Sequence, residues 1–126
     1  WEESMRMEPD SLDMHFVNHI YPEDRNTYYL IYSSSVMHEL CYATSEKPTG
    51  KFTYRGVLVS NCDMHIDTYK PADMPSTYGG NNHGSIVEIS SEWYIFYHRQ
   101  TNGTWYSRQG CAEKLHLAED GSFRQV

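Results

Sequence analysis

One short stretch concentrates the residue types that could do chemistry: Gly79-Gly80-Asn81-Asn82-His83-Gly84-Ser85. Its glycines allow the backbone to approach another group closely, and its Asn and His side chains offer polar atoms just before an apolar run. A neutral imidazole can hold a water molecule or a metal ion, so His83 is a candidate for a role in a cavity. The alternative is that His83 is a structural hydrogen-bonding residue.

The elements that must position this stretch are short strands. Apolar and aromatic runs of strand length, each bounded by turn residues, occupy 28–33, 39–45, 52–60, 85–89, 93–98, 104–107 and 114–117. Such runs are rich in β-branched or aromatic residues, which suit a pleated sheet. Because no stretch keeps a 3.6-residue period over three turns, the sequence predicts an all-β fold with little helix.

A weak internal repeat relates the two halves of the chain. Residues 28–32 resemble 93–97, and 41–43 occupy the place of 105–107, at an offset of 64 to 65 residues. Repeats of three or four short antiparallel strands at such a period are typical of β-propeller blades. Two blades cannot close a ring, so we expect missing blades or a partner chain to complete it.

Two segments interrupt the strand rhythm. Residues 7–27 are acidic and contain Pro9 and Pro22, which predicts an inserted, exposed loop. Residues 61–78 contain two further prolines and are predicted to connect the blades. The whole chain, 1–126, is then part of a single propeller domain, with blades at about 1–60 and 79–126.

Composition and charge exclude several classes of function. The formal net charge is −7, and an acidic surface repels phosphate backbones, so nucleic acid is not expected as a partner. No apolar run approaches the roughly 20 residues of a membrane span, and we expect no signal peptide within this chain. Cys41, Cys62 and Cys111 are isolated, which favours buried free thiols over a zinc site or a disulfide framework.

Several motifs in order resemble glycoside hydrolase family 43. Residues 81–88 (NNHGSIVE) and 92–99 (EWYIFYHR) resemble the last blade of that family, and 28–34 and 39–45 resemble its preceding blade. The resemblance extends over 28–126. It implies an extracellular or periplasmic protein with the family's five-bladed propeller, of which this chain holds about two blades.

The resemblance also implies an activity. Family 43 enzymes hydrolyse arabinofuranosides and xylosides, as found in hemicellulose and pectin side chains, with inversion at the anomeric carbon. Inversion needs an acid and a base about 6.5–9.5 Å apart, so that a water molecule fits between them. The family's two catalytic Asp residues lie in blades that this chain does not contain, so we expect the separate chain to be inactive. The alternative is a non-catalytic fragment that binds carbohydrate.

The resemblance assigns the general acid to the start of the chain. Relatives carry the acid in a segment like Glu-Ala-Ser-Ser-Met-Arg, and here the chain begins Trp1-Glu2-Glu3-Ser4-Met5-Arg6. A one-residue deletion places Glu2 on the acid position, whereas an ungapped match places Trp1 there. Solvated terminal carboxylates at Glu2 and Glu3 are the alternative.

Three further residues carry an implied role. His83 matches the histidine that helps to hold a calcium ion at the propeller axis, indirectly because calcium prefers oxygen ligands. Arg99 matches an arginine that hydrogen-bonds sugar hydroxyls. Arg108 is a second substrate-binding candidate, for which an ion pair with Glu88 or Glu113 is the alternative.

Overall fold

The computed structural model describes residues 15–20, 26–34, 39–67, 70–76, 82–104 and 106–126, with side chains from residue 27 onward. Within these ranges there is no helix, and so none long and apolar enough to cross a membrane. Every regular element described is a strand, which confirms the prediction of an all-β fold.

The described strands form two antiparallel sheets. The first sheet has the order β1 (His15–Ile20), β2 (Asn26–Ser33), β3 (Glu39–Ser45) and β4 (Thr53–Ser60). The second sheet has the order β5 (Gly84–Ile89), β6 (Glu92–Gln100) and β7 (Arg108–Leu115). Each strand pairs with the next one along the chain, which is the meander of a propeller blade.

Strand β1 corrects the prediction of a loop at residues 15–20, whereas 7–14 and 21–25 of the predicted insertion lie outside the described residues. His15–Ile20 pairs with β2 in antiparallel register, with Val17 opposite Tyr29. The acidic residues and prolines that favoured a loop lie on either side of this run, which itself contains a Phe, a Val and an Ile. These residue types have high β-propensity, and the backbone of β1 pairs an edge of β2 that would otherwise lack partners.

The sequence also predicts the wrong position for the third strand of the second sheet. We expect strands at 104–107 and 114–117, whereas the structure has one strand, β7, and no strand at Thr104, Tyr106 or Ser107. The run RQGCAEKL of β7 contains no β-branched or aromatic residue, so it carries no strand signal. The counterpart of β3 in the internal repeat is therefore β7 and not 105–107.

The turn before β7 is longer than a tight hairpin. Asn102 and Gly103 adopt the expected positive φ, at 59° and 60°. The loop closes further along, where the Thr101 N–H donates to the Ser107 carbonyl at 2.9 Å. Because this loop takes up the residues to Ser107, the ladder between β6 and β7 starts only afterwards.

Aromatic rings join the two sheets. The Phe123 ring lies 5.4 Å from that of Tyr29, 5.7 Å from Tyr42 and 5.5 Å from Trp93, measured between centroids. The Phe123 N–H also donates to the Tyr42 hydroxyl at 2.9 Å. Tilted and edge-on ring pairs each stabilise by about 0.5–1.5 kcal/mol beyond their buried area. The C-terminal segment thus packs against both sheets through Phe123.

At Gly84 the two sheets come close together. A Cβ at this position would lie 2.5 Å from the Phe96 carbonyl oxygen and 2.8 Å from Leu40 Cδ2, which belongs to the first sheet. The glycines around His83 are predicted to allow a close approach of the backbone to another group. Gly84 has such an approach, since a side chain there would push β5 away from its neighbours.

We expect Gly84→Ala to destabilise the chain. Overpacking of this kind costs about 1–3 kcal/mol, because a backbone carbonyl cannot move away from the added methyl group. Gly110→Ala in β7 is the matched control, since nothing lies within 4 Å of its Cβ position. Urea unfolding followed by tryptophan fluorescence measures both. Equal unfolding midpoints for the two variants would contradict the packing account.

Candidate functional site

The chemically capable side chains gather at one end of the two sheets, which we call the site end. β2, β4 and β6 finish there, whereas β3, β5 and β7 start there, because every pairing is antiparallel. The Ser33 hydroxyl donates to the Asn82 carbonyl and so links the sheets at this end. His83, Arg99 and Arg108 all lie at the site end, although they are distant in sequence.

Two histidines form a pair at the site end. His83 Nδ1 lies 3.2 Å from His98 Nε2, and the ring centroids are 5.5 Å apart. In a bond between two neutral imidazoles one nitrogen donates and the other accepts. Burial, followed by the electrostatic effects of Arg108 and His83, lowers the pKa of His98. This favours the neutral form of His98, which can accept or donate to His83.

Arg99 is held on the other face of β6. Residues alternate along the strand, so Arg99 shares the face of Tyr97 and not that of His98. Arg99 Nη2 lies 2.6 Å from Asp63 Oδ1, and its guanidinium carbon lies 5.8 Å from the centroid of the Tyr97 ring. Its Nε is buried and has no hydrogen-bond partner within the described ranges. The guanidinium is therefore fixed on one side only.

The segment between the sheets supplies the acidic partner of Arg99. Asp63 is buried and has a φ of 49°, and its N–H donates to the Ser60 carbonyl at 3.0 Å. Its own carbonyl accepts from Lys70 Nζ at 2.5 Å. Nearby, His65 Nε2 lies 2.8 Å from Oε1 of the buried Glu39. Both buried carboxylates of this region are thus engaged by basic side chains.

The predicted site residues have different contacts in the structure. His83 and Arg99 are at the same end but contact different partners on opposite faces of β6. Arg108 is exposed at the start of β7, opposite Gln100, whereas Glu88 and Glu113 lie further along the sheet, opposite Trp93 and Ile95. This register separates Arg108 from both carboxylates, which contradicts the alternative of an ion pair with either of them. Glu113 instead accepts a hydrogen bond from the Tyr97 hydroxyl.

One predicted residue falls outside the described part of the chain, and sequence reasoning missed two partners. Glu2, the predicted acid, lies outside the described residues. Sequence reasoning did not single out His98 or Asp63. The available signals were the position of His98 next to Arg99, and the polar pair Asn61 and Asp63 directly after the buried end of β4.

Comparisons with known proteins find relatives named xylosidase/arabinosidase and arabinoxylan arabinofuranohydrolase. A xylosidase/arabinosidase of Thermoclostridium stercorarium is 72% identical over 101 residues, which are 80% of this chain and 21% of that protein. An arabinoxylan arabinofuranohydrolase of Paenibacillus polymyxa is 35% identical over 98 residues, or 70% of this chain and 13% of that protein. No family model matches the chain.

Solved structures agree with these relatives. A β-xylosidase/α-arabinofuranosidase of glycoside hydrolase family 43 from a compost metagenome, crystallised with xylotriose, has a TM-score of 0.66 and 33% identity to this chain. This match covers 88% of the chain and 29% of that enzyme. The chain belongs to glycoside hydrolase family 43.

A second family 43 structure, from Xanthomonas citri, has a TM-score of 0.66 and 31% identity over 88% of the chain. These neighbours confirm that the two sheets are part of a β-propeller. The chain spans 21% of the length of the Thermoclostridium protein and 29% of that of the compost enzyme, so it corresponds to only a part of each.

The family resemblance links His83 of this family 43 chain to a calcium ion. The compost enzyme was crystallised in a calcium-free form. Among the described side chains here, no group of three His, Cys, Asp or Glu could hold a metal ion. His83 meets a second imidazole, whereas calcium prefers oxygen ligands. The link of His83 to calcium therefore stays a prediction.

The acidic groups of the site end also act on the nearby thiols. Burial, followed by the charge of Glu39, raises the pKa of Cys41 to about 12. Burial, followed by the charges of Asp63 and Glu39, raises the pKa of Cys62. Cys111 is only partly buried, which corrects the expectation that all three thiols are buried. A protonated thiol is a poor nucleophile, so Cys41 and Cys62 are protected.

We expect Ellman's reagent at pH 8 to react rapidly with Cys111 alone in the folded chain. A thiol with a pKa near 12 is protonated at this pH, so Cys41 should react only when the chain unfolds. Cys111→Ser should abolish the fast reaction, and adding guanidinium should then release the two remaining thiols together. A fast-reacting thiol that persists in folded Cys111→Ser would contradict this description.

Proposed function

We propose that this chain is part of a glycosidase that hydrolyses the O-glycosyl bonds of arabinofuranosides or xylosides. The observation that carries the proposal is the 72% identity to a xylosidase/arabinosidase. A relative named arabinoxylan arabinofuranohydrolase and family 43 structures with bound xylose and xylotriose support the same substrate class. The natural substrates would be oligosaccharides from hemicellulose or pectin side chains.

In this proposal the site end faces the sugar. Arg99 and Arg108 donate to sugar hydroxyls, and His83, oriented by its contact with His98, lies at the same end of the sheets but on the other face of β6 from Arg99. Glu2 protonates the leaving oxygen, while a carboxylate outside this chain activates water on the opposite face of the ring. Because the base comes from outside, the separate chain should have no turnover.

A specific observation favours a second candidate, a fragment that binds carbohydrate without cleaving it. The buried carboxylates at the site end, Glu39 and Asp63, are both engaged, by His65 and Arg99 respectively. A general acid or base must reach the substrate or the attacking water, whereas these two side chains are buried and already bonded to basic partners. If Glu2 is not the acid, neither of these two carboxylates is available to replace it.

The outer face of the second sheet supports the need for further blades. Its apolar side chains remain accessible, with exposures of 40% for Val87, 49% for Ile89 and 47% for Phe96. Contiguous exposed apolar surface typically marks an interaction site. We propose that the remaining propeller blades, or a partner chain, cover this face.

The activity can be tested in a chimera in which this chain replaces the corresponding part of the Thermoclostridium stercorarium protein. We expect it to hydrolyse both xylobiose and a 4-nitrophenyl pentoside. Glu2→Gln should lower kcat/KM for xylobiose by about 10²–10⁴-fold, because this poor leaving group must be protonated. The nitrophenyl substrate should lose far less, and Glu3→Gln is the control.

Two results would contradict this assignment in different ways. A folded chimera that hydrolyses neither substrate would favour the carbohydrate-binding candidate. A selective loss in Glu3→Gln, with none in Glu2→Gln, would move the acid by one position.

The outer face gives a separate prediction. In the chain alone, Phe96→Glu replaces an accessible side chain and should change the free energy of unfolding by no more than about 0.5 kcal/mol. In the chimera the same charge should be buried, so the thermal midpoint should fall markedly. Tyr106→Glu, at a position that is 88% exposed and outside the sheets, is the control. Equal effects of Phe96→Glu in both proteins would contradict a covered face.

A further inference from the structure

The ion pair between Arg99 and Asp63 is unequally accessible. The Arg99 side chain is 26% exposed, whereas that of Asp63 is 6% exposed. A ligand that reaches the site end can therefore contact the Arg99 side chain but not the carboxylate behind it. Asp63 can act on such a ligand only through Arg99.

Asp63 is itself held firmly. Its carboxylate has a second partner, since the Ser76 hydroxyl donates to Oδ2 at 3.3 Å. Its N–H and carbonyl are bonded to Ser60 and Lys70. Side chains that are locked by such a shell of hydrogen bonds position the groups that they contact. The direction of the Arg99 guanidinium is therefore set by the connecting segment and not by β6 alone.

The pair also controls the local charge. Arg99 and Lys70 contribute two positive charges at this place, and Asp63 and Glu39 contribute two negative ones. A buried charge that is compensated in this way attracts a further anion weakly, while the N–H groups that remain can still donate. A charge-compensated guanidinium such as that of Arg99 therefore binds a neutral polyol in preference to a sugar carboxylate.

We propose that Asp63 is a positioning residue that orients Arg99 and cancels its charge, so that Arg99 takes a neutral sugar hydroxyl and disfavours a uronic acid. The proposal rests on the proposed function insofar as it places a sugar at Arg99. It adds the selectivity of that contact for neutral pentoses over acidic sugars. It also gives the segment between the sheets a role in recognition.

The test measures the binding of xylose and of glucuronic acid to the chimera by titration calorimetry. Asp63→Asn should weaken xylose binding by about tenfold or more, because the oriented, charge-assisted hydrogen bond from Arg99 to the sugar is lost. The same variant should strengthen glucuronate binding about tenfold, because Asp63 no longer neutralises the positive charge of Arg99. Asp73→Asn removes an exposed carboxylate from the same segment and should bind both sugars as the unmodified chimera does.

Two further variants separate charge from folding. Asp63→Asn combined with Arg99→Gln should lose the gain for glucuronate. Arg99→Lys keeps the ion pair but not the planar fork, so it should weaken xylose binding without improving glucuronate binding. This second variant decides the matter if Asp63→Asn does not fold.

The proposal is wrong if Asp63→Asn changes the two affinities equally or not at all, or if Arg99→Lys binds xylose as tightly as the unmodified chimera. Hydrolysis is measured separately on the same proteins. Selective binding without hydrolysis would contradict the proposed activity alone, whereas hydrolysis without altered selectivity would contradict this inference alone.

Discussion

The two sheets contact each other through one apolar face each, and the rest of the structure depends on that contact. Tyr29 and Ile31 of β2 and Trp93 and Ile95 of β6 lie in one buried cluster, which Phe123 completes. Burial of apolar surface is worth roughly 25 cal/mol per Å², and rings of this size dominate such an interface. The close approach at Gly84 is part of the same contact.

This packing determines where charge can be placed. The chain must cross from β4 to β5 at the site end, and the crossing buries Asp63 next to the interface. A buried carboxylate is strongly unfavourable unless it is paired and hydrogen-bonded. Arg99 provides the pair, so the group that stabilises the crossing is also the group that the proposed function places beside the sugar.

Local sequence predicted the strands whose side chains are mostly aromatic or branched. β3 begins and ends as expected, and β2, β4, β5 and β6 differ by at most a few residues. The sequence does not predict β1 and β7 as strands. β1 is short and flanked by prolines, and β7 has no β-branched or aromatic residue. Their strand conformation comes from pairing with β2 and β6, which no local pattern records.

The site was predicted only in part, for a similar reason. His83 stood out because it lies among glycines and asparagines, and Arg99 because of the family resemblance. Asp63 lies 36 residues from Arg99, so only the packing of the two sheets brings them together. The pairing of His83 with His98 follows from the register of β5 and β6, which the sequence alone does not fix.

The central claim is that these two blades present their site end to a neutral pentose-based sugar. A crystal structure of the chimera with bound xylotriose tests it most directly. The account predicts a sugar hydroxyl within hydrogen-bond distance of the Arg99 guanidinium, with Asp63 still paired to Nη2 and His83 at the same cavity. Xylotriose bound away from the site end, or Arg99 turned away from Asp63 with no contact to the sugar, would contradict it.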